Sequence, residues 1–336
     1  MELTFLRLRE ITLGAVEITE DVDGFRFERM TSSQADAFTR ANATFEPKCH
    51  TTAGIRLDFE TDSDFLELRW HKPIIATRTF CFFDVLVDGI LTMHSGTFDS
   101  ANEPEGGFCF ALPEGMHRVQ VFLPAVVGVC LASVSLSDGA QVIPHRAAKR
   151  ILIHGDSITQ GYDALCPSGS YTNIVARHYD AEILNQAVGG ACYNEEVLED
   201  VGKFDFALVS YGANDWTKKT LETFGADAEA FFKKLKTLYP AMTVYVLLPI
   251  WRADDKSRPD AVGDFQECRA LLGSLAEKQG FTVLDDYEMV PHDVRLFSDR
   301  RLHPNDAGFA LYGQRLIEML GENPGQLCIS SVCKGS

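Results

Sequence analysis

The second half of this chain repeats one pattern, in which a short apolar run ends in a polar turn rich in glycine. The apolar runs span 151–153, 181–184 and 206–210, and the turns that follow span 155–161, 185–190 and 211–215. Beyond residue 149, strand-like runs of this kind alternate with helical patterns. Such alternation predicts a parallel sheet with helices on both of its faces.

Further along the chain the same alternation continues to the end of the domain. Helical patterns cover 220–238, 265–279 and 306–320, and strand-like runs cover 243–248 and 281–284. In open sheets of this kind, ligands bind at the carboxyl ends of the strands. The polar turns therefore mark one candidate site.

Residues 1–145 have a different pattern, because apolar and polar residues alternate there with a period of two. The clearest runs are 25–30, 54–59, 65–70, 83–89 and 115–123. Short strands separated by turn residues predict a β-sandwich or jelly roll. We therefore expect a β-sandwich accessory domain at 1–145, a catalytic domain at 150–322 and a C-terminal tail at 323–336.

Composition limits the partners and the compartment. The formal net charge of −17 argues against nucleic acid and anionic membranes and fits a neutral substrate. No apolar run is long enough to span a membrane, and the first ten residues lack the apolar core of a signal peptide. Nine scattered cysteines without metal-site spacing indicate free thiols. These features predict a cytoplasmic protein, and the sequence leaves a homo-oligomer possible.

Ser157 is the candidate nucleophile, because it follows a predicted strand and glycines flank its turn. A serine hydroxyl needs a base, and His303 in the segment Leu302-His303-Pro304-Asn305 can accept its proton. The oxyanion of a tetrahedral intermediate needs donors. The N–H groups of Ser157 and Gly190 and the side-chain amide of Asn214 can supply them.

These four blocks, Gly-Asp-Ser, Gly-Gly, Gly-x-Asn-Asp and His-Pro-Asn, resemble in order those of the SGNH (GDSL-type) hydrolases. The resemblance covers about 150–320. It implies a three-layer α/β/α, flavodoxin-like domain and ester hydrolysis through an acyl-serine, with no metal or cofactor. By position, Ser157 is the nucleophile, His303 the base, and Ser157, Gly190 and Asn214 the oxyanion hole. Gly189 is the neighbouring alternative to Gly190.

One position departs from the family pattern. The family usually has Asp three residues before its histidine, where this chain has Arg300. Asp299 lies one residue further back and reaches His303 only if the loop bulges. Otherwise a main-chain carbonyl holds the imidazole ring. Both alternatives remain open from the sequence.

The alternating N-terminal region resembles the jelly-roll module of carbohydrate esterase family 2, which precedes an SGNH domain. This likeness implies an enzyme that removes acetyl groups from small-molecule or oligosaccharide esters. Trp251 follows a predicted strand and is a candidate for stacking on a sugar, with a packed loop residue as the alternative. Arg252 is expected to be solvated, with a hydrogen bond to a substrate hydroxyl as the alternative. Two other hypotheses are a lipid or thioester acylhydrolase and a catalytically weak carbohydrate-binding protein.

Overall fold

The computed structural model describes residues 1–258, 261, 263–285 and 287–325. Most of the predicted tail, 326–336, lies outside this range. The first half contains short antiparallel strands. They are β1 (Thr12–Leu13), β2 (Glu17–Asp21), β3 (Gly24–Glu28), β4 (Arg56–Thr61), β5 (Phe65–Ile75), β6 (Cys81–Val87), β7 (Ile90–Thr97), β8 (Glu105–Ala111), β9 (His117–Phe122), β10 (Val127–Leu136) and β11 (Ile143–Pro144).

These strands form two sheets. One has the order β1-β4-β9-β6-β7, with β11 also paired to β4, and the other has the order β2-β3-β10-β5-β8. Alternate side chains of both sheets, such as Leu57, Phe59, Leu68 and Val121, are buried in one core. The period-two pattern thus records which side of each strand faces that core.

Three helices also lie in this region, and the sequence patterns did not predict them. They are α1 (Phe5–Ile11), α2 (Ser32–Ala41) and α3 (Glu46–Cys49). The start of α2 carries a recognisable signal, because Thr31 caps the N–H of Gln34 and the Gln34 side chain accepts from the N–H of Thr31. This capping box is typical of a helix N-terminus.

The second half forms a parallel sheet with helices on both faces, as predicted. Its strands are β12 (Lys149–Gly155), β13 (Ala181–Asn185), β14 (Phe206–Ser210), β15 (Thr243–Leu247) and β16 (Thr282–Leu284). Its helices are α4 (Ser157–Gln160), α5 (Tyr171–His178), α6 (Asp215–Lys218), α7 (Leu221–Leu238), α8 (Phe265–Lys278) and α9 (Asp306–Leu320). Helices α5 and α9 pack together against one face, and α7 and α8 pack together against the other.

The strand order β13-β12-β14-β15-β16 fixes where a ligand can bind. The chain runs outward from β12 in both directions, and the crevice beside such a reversal is the usual ligand site of an open α/β sheet. Ser157 follows β12, Gly190 follows β13 and Asn214 follows β14. None of the helices within the described ranges has the length and apolar character of a membrane span.

Candidate active site

The hydroxyl of Ser157 lies against the imidazole of His303. The distance from Ser157 Oγ to His303 Nε2 is 2.8 Å, although the two residues are far apart in the chain. Ser157 begins α4, and the preceding Asp156 caps that helix by accepting from the N–H of Ile158 at 3.1 Å. The strand-to-helix turn therefore positions the hydroxyl, and the loop before α9 brings the histidine to it.

The carboxylate of Asp299 contacts the other ring nitrogen of His303. Asp299 Oδ2 lies 2.9 Å from His303 Nδ1. The carboxylate therefore occupies the position beside the ring that a main-chain carbonyl would otherwise fill. Arg300 adopts a left-handed conformation with φ +53°, which makes the loop bulge. The extra residue before the histidine is thereby accommodated.

Backbone N–H groups fix the Asp299 carboxylate in this position. Its Oδ1 accepts from the N–H groups of Arg301, Leu302 and His303 at 2.9, 2.8 and 3.2 Å. Burial alone would raise the pKa of Asp299, but the hydrogen bonds to His303 and to these N–H groups outweigh it and lower the pKa. The carboxylate is therefore ionised at any pH at which His303 can cycle between its neutral and protonated forms.

A residue from the N-terminal region supports the same loop. Arg78 donates to Asp163 at 2.6 Å through Nε, and Ser298 Oγ donates to Asp163 and to the carbonyl oxygen of His303. Burial would raise the pKa of Asp163, but Arg78 and Ser298 lower it overall. The ring of Tyr162 lies 5.9 Å from the ring of His303.

Gly189 and Gly190 differ in whether their N–H groups are available. The N–H of Gly189 donates to Gln160 Oε1 at 2.7 Å, so a protein acceptor already occupies it. For the N–H of Gly190, the described part of the chain supplies no acceptor. Gly190 also has φ +88°, a conformation that glycine adopts most readily. The geometry thus favours Gly190 over its neighbour as an oxyanion donor.

Asn214 lies next to the nucleophile turn. Its Nδ2 donates to Asp156 Oδ2 and to the carbonyl oxygen of Ala191, both at the long distance of 3.3 Å. Burial raises the pKa of Asp156 to about 6. Ser157 supplies a third donor, since the N–H groups of a helix's first turn lack acceptors within the helix. The oxyanion role of Ser157, Gly190 and Asn214 stays a prediction, and Asn214 would exchange one of its two long hydrogen bonds for the oxyanion.

Arg252 corrects an expectation from the sequence, because it is buried rather than solvated. It donates to the carbonyl oxygen of Ala213 at 3.1 Å and lies over the ring of Trp216. Asp254 pairs with its guanidinium. This arginine therefore holds the turn that carries Asn214.

The turn 185–190, called the oxyanion loop below, is held by the N-terminal region through Arg29. Sequence patterns did not single out this residue. The Arg29 guanidinium is fully buried and donates to the carbonyl oxygens of Asn185 and Ala187, both at 2.7 Å. It also donates to the carbonyl oxygens of Lys48 and Thr51. Burial lowers the pKa of Arg29 to about 10. Arginine at the end of an alternating strand gives no sequence signal for such a role.

Trp251 contacts protein side chains. Its ring stacks on His292 with centroids 4.8 Å apart and meets Phe297 edge-on at 5.4 Å. These contacts are those of a packed loop residue, and a role in substrate binding stays a prediction.

One group of potential metal ligands occurs among the described residues. Ligand atoms of Asp84, His94 and Cys166 lie within 4.8 Å of one another. The Asp84 carboxylate, however, already contacts His94 Nδ1 at 2.7 Å and accepts from the N–H and hydroxyl of Ser168. Hydrogen bonds alone therefore satisfy it, and it serves as a link between the two halves of the chain.

Comparison with known proteins identifies the second half. Residues 153–311 match the GDSL-like Lipase/Acylhydrolase family. The recognition made from four sequence blocks is confirmed. No curated protein sequence matches the chain.

Solved structures share the fold of both halves. The salicylyl-acyltransferase SsfX3 from a tetracycline biosynthetic pathway is 21% identical with a TM-score of 0.75, covering 91% of this chain and 92% of that one. A family two carbohydrate esterase from Clostridium thermocellum in complex with cellohexaose is 13% identical with a TM-score of 0.61, covering 92% and 98%. A family two carbohydrate esterase from Cellvibrio japonicus is 15% identical with a TM-score of 0.60, covering 92% and 93%. The predicted two-part architecture is confirmed.

Proposed function

We propose that this protein is a serine esterase that hydrolyses small acyl esters, acetyl esters foremost, of carbohydrates. The observation that carries the proposal is the chain of contacts from Ser157 Oγ to His303 Nε2 at 2.8 Å and from His303 Nδ1 to Asp299 at 2.9 Å. A hydroxyl, an imidazole and a carboxylate in this order form the constellation that activates serine for acyl transfer.

The mechanism assigns one task to each group. His303 Nε2 accepts the proton of Ser157 while Oγ attacks the ester carbonyl carbon. The Ser157 and Gly190 N–H groups and the Asn214 amide stabilise the oxyanion. The intermediate collapses, and the alcohol leaves with the proton from His303. Water then attacks the acyl-serine by the same route, releasing the acid and restoring Ser157.

Asp299 orients the imidazole in this mechanism. Its carboxylate favours the tautomer with a proton on Nδ1 and stabilises the imidazolium that forms during attack. The lowered pKa of Asp299 keeps the negative charge in place for that purpose.

The carbohydrate and acetyl parts of the proposal are supported by fold likeness. Two of the compared structures are family two carbohydrate esterases, and one of those is described in complex with cellohexaose. The likeness extends over both halves of the chain. We propose on this basis that the N-terminal half, predicted at 1–145, forms part of the substrate-binding surface.

The first experiment compares the parent and Ser157→Ala for acetate release from 4-nitrophenyl acetate and from acetylated oligosaccharides. Ser157→Ala should lower kcat by about 10⁴-fold or more, because serine, histidine and carboxylate act as a unit. Equal rates for both proteins would overturn the esterase proposal and favour a carbohydrate-binding protein.

A chain-length series separates the sugar acetyl esterase from a lipid or thioester acylhydrolase. For the proposed enzyme, activity on 4-nitrophenyl esters should fall steeply beyond propionate. Undiminished activity on long acyl chains or on acyl thioesters would assign the protein to the alternative class.

A second candidate is acyl transfer to an alcohol, which the fold likeness to a salicylyl-acyltransferase favours. Transfer uses the same acyl-serine, with an alcohol in the place of water. The test is to add sugars, whose hydroxyl groups can accept the acetyl group, to the 4-nitrophenyl acetate reaction. Acetylated sugar in excess over free acetate would indicate a transferase.

A further inference from the structure

Two lysine side chains from different halves of the chain meet at the oxyanion loop. Lys48, on α3, donates through Nζ to the carbonyl oxygen of Gly189 at 2.7 Å, and Lys218, on α6, donates to that of Gly190 at 2.6 Å. Both ammonium groups lie 3.7 Å from the position that a Cβ on Gly190 would occupy. They therefore flank the same face of the proposed oxyanion donor.

Neither ammonium group has a carboxylate partner at ion-pair distance in the part of the chain that the structure describes. Across the described ranges, Lys48 and Lys218 form no ion pair, whereas their neighbour Lys219 pairs with both Asp215 and Asp227. The chain as a whole carries a net charge of −17, so unpaired cations beside each other are unexpected in it. Burial, and then repulsion from Lys218, lower the pKa of Lys48.

A cavity begins at this point and is large enough for part of a substrate. It has a volume of about 480 Å³ and is lined by Gly190, Lys218 and the apolar rings of Phe38 and Phe45. Lys48 Nζ lies over the Phe45 ring, 5.1 Å from its centroid, at the edge of this wall.

Acidic residues on the other walls of the cavity do not compensate the two lysines. Glu196 pairs with Arg40, and Asp227 pairs with Lys219. Glu195 is exposed to solvent. The end of the cavity beside Gly190 therefore carries two ammonium groups outside any ion pair among the described residues, and the buried Asp156 carboxylate interacts with one of them, Lys218.

We propose that Lys48 and Lys218 form an anion subsite, so that the preferred ester carries a carboxylate close to its reacting carbonyl group. The inference rests on the proposed esterase function and names the substrate class for the same site. Charge-assisted hydrogen bonds to a carboxylate would replace the repulsion between the two ammonium groups. This proposal departs from the neutral substrate expected from the net charge, because the charges close to the bound ester act on it most strongly.

The experiment compares ester pairs that differ in charge but match in size. The acyl-side pair is the 4-nitrophenyl half-ester of malonic acid and 4-nitrophenyl 3-methylbutanoate, whose acyl groups have the same number of heavy atoms beyond the reacting carbonyl carbon. The alcohol-side pair is acetylated glucuronic acid and acetylated glucose. At low ionic strength the parent should have a kcat/KM about tenfold higher for the anionic member of one pair than for its neutral partner. The pair that shows this preference identifies whether the acyl or the alcohol part of the ester carries the charge.

The variants are Lys48→Met and Lys218→Met, with Lys233→Met as the matched control. Lys233 lies on α7 and pairs with Glu229 at 2.7 Å, away from the oxyanion loop. Each of the first two should lower kcat/KM about tenfold for the anionic ester and less than about threefold for the neutral one. Lys233→Met should leave the preference unchanged. Added salt should raise KM only for the anionic ester.

Two results would overturn the anion subsite. One is a parent without charge preference in either pair. The other is an equal loss on anionic and neutral esters in the lysine variants, which would mean that the lysines only hold the loop. If the Ser157→Ala variant is inactive in either case, the proposed function still holds and only the anion subsite is lost. Hydrolysis independent of Ser157 would remove the proposed function itself.

Discussion

The two sides of the candidate site are built in different ways. On the base side, Asp299 and His303 belong to one loop, and the carboxylate is fixed by N–H groups of residues beside it. On the oxyanion side, the loop that ends at Gly190 is held by Arg29, which comes from the other half of the chain. The carboxylate is thus fixed locally, and Arg78 reaches the base side indirectly, through Asp163 and Ser298. The oxyanion loop is instead bound directly by the other half of the chain.

This difference predicts how each side responds to change. A local loop keeps its geometry as long as its own hydrogen bonds form. The oxyanion loop instead requires that the N-terminal region be folded and docked. We therefore expect base-side substitutions to change chemistry alone, and distant N-terminal substitutions to change both stability and turnover.

The largest effect should come from Asp299→Asn on the base side. Loss of the carboxylate favours the wrong imidazole tautomer, and kcat should fall by about 10²–10⁴-fold. Steady-state kinetics on 4-nitrophenyl acetate would measure it, with circular dichroism as the control for folding. Nearly full activity would show that another group orients His303.

Asn214→Ala tests the oxyanion side directly. Removing one oxyanion donor should lower kcat by about 10²–10³-fold with little change in KM, since the interaction forms in the transition state. An effect confined to KM would instead place Asn214 in ground-state binding.

Arg29→Met tests the clamp between the halves. Its carbonyl acceptors would lose their donor within a buried region, so the free energy of unfolding should fall by about 2–4 kcal/mol. Denaturant titration measures this change, and kcat should fall as well because the Gly190 loop shifts. The matched control is Arg295→Met, whose exposed guanidinium pairs with Asp293. Unchanged kcat in a folded Arg29→Met protein would contradict the clamp.

His154→Leu tests how the free energy of unfolding depends on pH, since His154 is buried in β12, the strand just before Ser157. Burial lowers the pKa of His154 to about 3, so the unfolded chain binds the proton first as the pH falls. Its contribution to stability is complete above the unfolded pKa, near 6.5, and is lost toward pH 3. Between pH 7 and 4.5 the parent should lose about 2 kcal/mol more unfolding free energy than the variant. Parallel pH curves would contradict a neutral buried His154.

The smallest effect should come from Arg300→Gly at the bulge. Glycine accepts the left-handed conformation without strain, so the unfolding free energy should rise by about 1 kcal/mol or less, with activity retained. Thermal unfolding would detect it. Destabilisation would show that the Arg300 side chain contributes contacts that outweigh its backbone strain.

The strands and helices of the second half could be predicted closely because their signals are local. The runs at 151–153 and 206–210 lie within β12 (Lys149–Gly155) and β14 (Phe206–Ser210). The helix α2 (Ser32–Ala41) was missed, although Thr31 and Gln34 form a capping box that a closer reading would detect. Phe38 is the one large apolar residue of its sequence, so the segment gave little apolar signal.

By itself the sequence determined which reactive groups are present: a serine, a histidine and the oxyanion candidates Gly190 and Asn214. Each lies in a turn after a predicted strand or before a predicted helix. Parallel strands place such turns at one edge, so their approach followed from the pattern alone. Only the tertiary structure decided that Asp299 contacts His303, because the backbone angle of Arg300 sets that reach. It alone also placed Lys48 beside Gly190, since contacts between residues distant in the chain leave no periodic signal in either segment.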